Sequence, residues 1–319
     1  MNIVFMGSSS FGVPALKGLI NAGYNVSGVI TQADKRQGRG MLTVGHTPVK
    51  DAASELKLKL FQPRNINSPE SVQILKDLNP DILIVIAYGQ ILSQEVLDIP
   101  RIMPVNIHAS LLPALRGPAP INWAIISGDK ATGNTLMKIT LKMDSGPVIS
   151  QSKIDILEYD SAITLEDKLS VDAAELLLKG MELIKSGKYK LLEQDPAKVT
   201  IAPKLSTDTC GIDWNMPAER INDLIRGLLN WSAAFTYYKG KRLKIHSARS
   251  IPAAGGSVKP GRVVSAGAEG IAVATGSGHL LIIQLQPEGK RVMAAGEFIA
   301  GYKLIPGEEF TAGVVRNAN

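Results

Sequence analysis

One cysteine is all that this sequence of 319 residues contains, so Cys210 has no partner within the chain for a disulfide. That excludes a disulfide-stapled scaffold and a cysteine-ligated zinc site, and it fits a reducing compartment. Histidine is nearly as scarce. His46, His108, His246 and His279 show no metal-ligand spacing, and no metal is expected. No long apolar run is present. The most apolar stretch, Ile82 to Ala87, falls far short of the roughly 18–20 residues that a spanning helix needs. The start of the chain lacks a basic leader, and its apolar run stops at Gly7-Ser8-Ser9-Ser10. It therefore reads as a first strand, and a cytoplasmic protein is expected. The first glycine turn, Gly7 to Gly12, lacks both the three-glycine dinucleotide pattern and the Lys-Ser/Thr of a phosphate loop. Nucleotide hydrolysis and nicotinamide-dependent redox chemistry are weak readings for that reason.

What is present is ordinary in amount and ordered in pattern. Apolar residues make up 45% and charged residues 20%, close to the average soluble protein, which rules out a disordered chain. Lys and Arg outnumber Asp and Glu by 35 to 29, a mild pointer to an anionic partner. At roughly 150 residues per domain the length suggests about two domains. In the first half, short β-branched runs alternate with helical patterns. Strands are expected at 2–6, 26–31, 81–87, 105–108 and 135–141, and helices at 14–22, 47–56, 68–78, 120–127 and 162–186. Such βα repetition predicts an α/β domain built on a mostly parallel sheet with helices on both faces. Near Gly187 the periodicity fades. One helix, 217–228, is followed by five short strands at 234–238, 243–248, 261–266, 270–275 and 279–286. Turn signals at Lys239-Gly240, Pro260-Gly261 and Ser277-Gly278 separate them, which predicts a small β-barrel of oligonucleotide-binding (OB-like) type. The expected boundaries are a catalytic domain at 1–187, a linker at 188–205 and a barrel domain at 206–319. The last carries 13 Lys and Arg against 9 Asp and Glu.

The most informative stretch is Val105-Asn106-Ile107-His108-Ala109-Ser110-Leu111-Leu112-Pro113. Side chains alternate along a strand, so Asn106 and His108 share one face and Val105 and Ile107 the other. A parallel strand covered on both sides should be apolar on both faces. Two polar side chains on one face, just before the chain turns out at Pro113, break that rule, and such breaks mark function. A carboxylate partner is offered by Asp144 in the turn Met143-Asp144-Ser145-Gly146. If the strand before it lies beside the first, Asp144 and His108 emerge on the same rim. A carboxylate would orient the imidazole, and an amide from Asn106 could donate to a developing oxyanion. The set suits acyl transfer without a metal, a serine nucleophile or a covalent intermediate. Ser110 lacks the nucleophile-elbow motif of a Ser-His-Asp hydrolase.

With Asn106-x-His108-x-Ser110-Leu111-Leu112-Pro113 and the later Asp144-Ser145-Gly146, the chain resembles the folate-dependent formyltransferases. Further segments resemble the branch of that family that acts on initiator methionyl-tRNA. They are Thr31-Gln32-x-Asp34, Gly38-Arg39-Gly40, Pro48-Val49-Lys50, Phe61-Gln62-Pro63, Arg116-Gly117-x-Ala119-Pro120-Ile121, Lys204-Leu205-Ser206, Ile212-Asp213-Trp214 and Ile225-Arg226. The likeness runs from residue 1 to about 310. It implies a Rossmann-like catalytic domain, 10-formyltetrahydrofolate as formyl donor, and the α-amine of initiator methionyl-tRNA as acceptor. The amine would attack directly, through a tetrahedral intermediate. It also implies that Asn106, His108 and Asp144 are the catalytic trio and that Ser110, Leu111, Leu112 and Pro113 contact the folate. Ala87, Tyr88, Gly89, Ile91 and Leu92 would wall the pterin pocket, partly through backbone groups. Two segments depart from the family pattern. Gly7-Ser8-Ser9-Ser10 replaces a Gly-Thr-Pro followed by an acidic residue, and Leu229-Asn230-Trp231-Ser232 replaces an Asn-Pro-Trp-Pro.

The loop from Asp34 to Lys50 holds Lys35, Arg36, Arg39 and Lys50 against one acid, and it is long for a βα connection. Together with the resemblance this points to a grip on the tRNA acceptor stem, where phosphate contacts dominate affinity. Lys204 at the domain junction, and Lys241 and Arg242 on a basic hairpin, are further candidates. A monomer is expected. Two other classes remain open at this point: a folate-dependent formyltransferase acting on a small amine, such as a nucleotide-linked amino sugar or glycinamide ribonucleotide, and a non-catalytic RNA-binding protein. The basic loop argues against the first, the intact trio against the second.

Overall fold

The structure is a computed structural model, and it describes residues 1–37, 43–253 and 258–313. Its contacts divide the chain into two units. The first comprises residues 1–120, 131–155 and 166–202, the second 121–130, 156–165 and 203–319.

In the first unit, β1 (Asn2–Gly7), α1 (Val13–Asn21), β2 (Asn25–Ile30), the short pair β3 (Lys35–Gln37) and β4 (Thr43–Gly45), α2 (Pro48–Glu55) and β5 (Leu60–Phe61) come first. Then follow α3 (Pro69–Leu78), β6 (Ile82–Ile86), α4 (Gln94–Leu97) and β7 (Met103–His108). After α5 (Pro120–Ile126) come β8 (Ala131–Lys138), β9 (Val148–Asp155) and α6 (Ala162–Lys185). Helix starts follow the sequence chemistry. Thr47 and Ser68 each accept a backbone N–H of the first turn, from Lys50 and Ser71, and a proline opens both helices. The sheet order is β5-β2-β1-β6-β7-β8-β9. The first five strands are parallel, while β8 and β9 run antiparallel to their neighbours. The central strands are sealed on both faces: Ile3 to Met6 and Ile84 are fully buried.

One expectation fails here. Strand β8 lies beside β7, but Val105 pairs with Lys138 and His108 with Thr135, so β8 runs the opposite way. Its end lies by Val105, not by the rim where β7 ends. The expected linker also differs. Residues 188–202 pack into the first unit. Leu192 exchanges backbone hydrogen bonds with Val148, and Arg116 does the same with Thr200 and Ala202.

In the second unit, α7 (Ala218–Gly227) precedes β10 (Ala234–Tyr238), β11 (Lys241–Ile251), β12 (Val263–Gly267), β13 (Gly270–Ala274) and β14 (His279–Pro287). The short β15 (Met293–Ala294), α8 (Ala295–Tyr302) and β16 (Phe310–Thr311) complete it. The antiparallel sheet runs β12-β13-β14-β11-β10-β16. Its two ends meet: Val263 N–H donates to Glu308 O and Phe310 N–H to Gly261 O, both at 2.8 Å. The result is the small barrel expected from the turn spacing, closed so that neither outer strand presents a free edge there. The close approach at Gly261 requires glycine, because φ is +89° and a Cβ would stand 2.5 Å from Phe310 O. The insertions from earlier in the chain are tied in by side chains. Asn122 donates to Gly227 O at 2.8 Å, and Arg226 donates to Asp160 O at 2.7 Å.

Candidate active site

The alternation read from the sequence sets the site. Val105 and Ile107 are buried, at 0% and 3% exposure, in the sheet core. Asn106 and His108 share the other face. His108 is nearly enclosed, whereas Asn106 is half-buried, and its side-chain amide has no hydrogen-bond partner among the described residues. A half-buried amide keeps access to solvent and needs no partner from the chain. Its donor is free for a ligand.

Asp144 reaches His108 by a different route from the expected shared rim. Because the β8–β9 turn begins opposite Val105, the loop 139–147 must fold back to deliver the carboxylate. Asp144 takes a left-handed backbone conformation, φ +49°, which Asp tolerates better than most residues. Its Oδ1 lies 3.6 Å from His108 Nδ1, and its Oδ2 accepts the Gly117 N–H at 2.9 Å. The other imidazole nitrogen, Nε2, is 2.9 Å from Leu115 O. A carbonyl only accepts, so Nε2 carries the hydrogen and Nδ1 is the nitrogen that faces the carboxylate. The Asp144 side chain is only 14% exposed.

The Ser110–Pro113 loop is built from below by residues that carry no motif. Thr135, fully buried on β8, donates to Ser110 O at 2.6 Å and accepts the Leu112 N–H at 3.1 Å. Gln151 on β9 donates to Leu112 O and to Thr135 Oγ1, both at 2.9 Å. The Ser110 hydroxyl is used internally, donating to Ala114 O at 2.6 Å. Leu112 packs with Met137 and Val148, while Leu111 and Pro113 are half-buried. In the loop after β6, Ala87, Gly89 and Ile91 are exposed, but Tyr88 and Leu92 sink into the core with Val4, Met6 and Val85. Burial pushes the Tyr88 hydroxyl up to about 12. The side chains of Tyr88 and Leu92 are therefore turned away from the surface. The altered first turn has a use here. Ser8 donates from Oγ to Tyr88 O at 2.9 Å and accepts the Gln32 N–H at 3.2 Å, tying the end of β1 to this loop.

The basic candidates divide. Lys35 and Arg36 lie on β3, and Arg39 lies outside the described residues. Lys50 pairs with Asp34 at 2.5 Å, and Gln62 donates to the same carboxylate. These two partners hold the Asp34 carboxyl below its ordinary range. Lys50 is thus paired at the base of the loop and is not a free cation. Lys204 and Lys241 are exposed, and the Arg242 guanidinium stacks 3.7 Å from the Phe235 ring centre.

Sequence reasoning passed over Thr135, Gln151, Arg116 and Gln194 as parts of the site. A threonine within the apolar strand pattern of β8, and the place of Arg116 in a segment that resembles the family, are the signals that were available. Gln151 and Gln194 act through hydrogen bonds that leave no periodicity. Among the described residues no three His, Cys, Asp or Glu side chains converge as a metal site, and no helix is long and apolar enough to cross a membrane.

Comparison with known proteins gives consistent findings. A family model described as formyl transferase matches residues 1–180, and one described as formyl transferase, C-terminal domain, matches residues 204–303. The methionyl-tRNA formyltransferase of Caldanaerobacter subterraneus subsp. tengcongensis is 43% identical over 308 residues, covering 96% of this chain and 99% of that protein. Among solved structures, the N-formyltransferase from Helicobacter canadensis in complex with folinic acid and dTDP-3-aminofucose has a TM-score of 0.68 at 15% identity, over 88% of this chain and 98% of that one. HypX from Aquifex aeolicus in complex with tetrahydrofolic acid gives 0.65 at 17% identity, over 94% of this chain and 47% of that one. At such identities the solved structures share the fold.

Proposed function

This chain belongs to the formyl transferase family, and from that premise we propose that it moves the formyl group of 10-formyltetrahydrofolate to the α-amine of initiator methionyl-tRNA, the step that prepares the tRNA for translation initiation. The observations that support the chemistry are the Asp144 carboxylate 3.6 Å from the His108 imidazole and, two residues before His108 on β7, the Asn106 amide with its donor unspent. The acceptor follows from near-full-length identity to a relative named for methionyl-tRNA. The small-amine alternative has only remote structural neighbours in its favour.

The residues fit a formyl donor bound beside them. A tetrahydrofolate supplies an activated formyl carbon. The side chains here offer hydrogen bonding and proton exchange, with no thiol or activated hydroxyl to form a covalent intermediate. The amine attacks only when neutral, so His108 removes the ammonium proton through Nδ1. Asp144 fixes the imidazole and stabilises it once it carries the proton. As the amine adds, negative charge gathers on the formyl oxygen, and the free Asn106 amide donates to it. Loss of one such donor typically costs about 100- to 1,000-fold in kcat. On collapse the bond from the formyl carbon to the folate N10 would break, N10 would take up the proton held on His108, and the second amine proton would pass to water.

The backbone of Ala87 to Leu92 and the Ser110–Pro113 loop would hold the folate. The exposed Lys204 and Lys241, with Lys35, Arg36 and Arg39, would meet tRNA phosphates. All three reactive groups come from one chain, which supports action as a monomer, and the tRNA substrate supports a cytoplasmic location.

Incubating the protein with 10-formyltetrahydrofolate and either charged initiator tRNA or a dTDP-linked amino sugar tests the reading. Formyl transfer to the tRNA is expected. His108→Ala should lose about 100- to 10,000-fold in transfer while still binding folate. Transfer to the sugar alone, or near-full activity of the variant, would refute it.

A further inference from the structure

The segment after α6 looks idle in the sequence, yet one of its side chains turns inward. From Lys190 to Lys198 every residue is exposed except Gln194. Its amide nitrogen donates to Asp144 O at 2.9 Å and to Gly146 O at 2.7 Å. Its amide oxygen accepts from Nε and Nη2 of Arg116, at 3.0 and 2.7 Å. Both donors and the acceptor of one amide are thus committed, and the guanidinium fork fixes the plane of the amide.

Both carbonyls that Gln194 holds belong to the turn that aims the reactive carboxylate. That turn needs holding. Asp144 is left-handed at φ +49°, a conformation that costs free energy unless its surroundings impose it. Arg116 is anchored in turn: its N–H donates to Thr200 O at 2.9 Å, and its carbonyl accepts from Ala202 N–H at 2.7 Å. Its neighbours touch the reactive groups directly. Leu115 O meets His108 Nε2, and Gly117 N–H binds Asp144 Oδ2. The segment 192–202 therefore acts as a strap. One end grips the Asp144 turn, and the other pairs with the 115–117 backbone that orients both imidazole and carboxylate.

We propose that Gln194, clamped by Arg116, is a positioning residue for formyl transfer that acts through Asp144 without touching either substrate. Glutamate in its place would keep the Arg116 pair but set a carboxylate against two carbonyls. Asparagine would be one methylene short of them. The inference rests on the formyl-transfer reading of the same site.

The test is steady-state transfer from 10-formyltetrahydrofolate to charged initiator tRNA by wild type, Gln194→Ala, Gln194→Glu, Asp144→Ala and the Asp144→Ala/Gln194→Ala double variant. Each single Gln194 variant should lose about 10- to 100-fold in kcat, the scale of a small misplacement, with KM for both substrates within about twofold of wild type. In the Asp144→Ala background, removing Gln194 should change kcat by less than about twofold, because the two act as one unit. Equal losses in both backgrounds would make the residue merely structural and overturn the proposal, as would a rise in KM at constant kcat. Should Gln194→Ala fail to fold, Gln194→Glu, which preserves volume and the Arg116 pair, carries the same comparison. Absence of transfer by the wild type counts against the functional reading itself. Transfer by the wild type with unchanged kcat in the Gln194 variants counts against this inference alone.

Discussion

Replacing Thr135 by valine removes one oxygen and almost no volume, and it isolates what that oxygen supports. The hydroxyl donates to Ser110 O and accepts from Leu112 N–H, and the site is fully buried. Valine leaves both backbone groups without a partner, while Gln151 keeps its bond to Leu112 O. An unsatisfied buried polar group costs about 1–3 kcal/mol, so two of them, after some local relaxation, should cost about 2–4 kcal/mol. That is a large share of the ~5–15 kcal/mol that stabilises a typical domain. Urea unfolding followed by far-ultraviolet circular dichroism measures it. Tryptophan emission marks the second unit separately, since Trp123, Trp214 and Trp231 all belong to that unit. The same substitution should loosen the Ser110–Pro113 loop and weaken binding of a tetrahydrofolate analogue in a calorimetric titration. An unfolding free energy within about 0.5 kcal/mol of wild type, as for a neutral surface change, would refute the account of how this loop is supported.

Two other expectations can be checked on the same preparation. Gly117→Ala should lower both melting temperature and kcat. Its φ is +125°, a Cβ would stand 2.5 Å from Ala202 O, and its N–H holds Asp144; an unaltered kcat would show that this N–H does not aim the carboxylate. Asp81 accepts the Asn2 N–H at 2.6 Å and pairs with Arg101, which together hold its carboxyl below the ordinary range. Its folded pKa lies below its unfolded one, so its stabilisation is present above about pH 4 and is lost as pH falls through the folded value. Asp81→Asn should therefore melt lower than wild type at pH 7, with the gap closing in acid. A constant gap down to about pH 2 would contradict the assignment.

Much of this was legible where physics leaves a period. The continuous apolar run at 82–86 marked a central strand, and the polar pair at 106 and 108 stands on β7, as the alternation predicts. The turn signals at Pro260-Gly261 and Ser277-Gly278 marked the barrel. Strand direction was not legible. An apolar run at 135–141 reads the same whether the strand runs with or against its neighbour, so the return of the 139–147 loop could not be foreseen. The exposed edge strand β9 and the glycine-containing α8 were passed over because neither shows a strong apolar face. The net charge of the Asp34–Lys50 loop hid the pairing of Lys50 with Asp34. Tyr88 and Leu92 stand in a segment that family resemblance links to the ligand, and their side chains are nonetheless spent on the core. Gln194 illustrates the general limit. A single amide with four hydrogen bonds to distant backbone and guanidinium groups leaves no trace in composition or spacing.

The strap also decides where this polypeptide can be cut. A fragment ended near residue 187, where the helical periodicity stops, would retain Asn106, His108 and Asp144 and would still lack the stretch that tensions them. On the proposed reading its three reactive groups would be present and their aim slack, so poor turnover by such a piece would say nothing about whether the barrel takes part in chemistry. A cut after Ala202, the last residue of the first unit, keeps the strap, although it leaves 121–130 and 156–165 without the rest of the second unit they pack with.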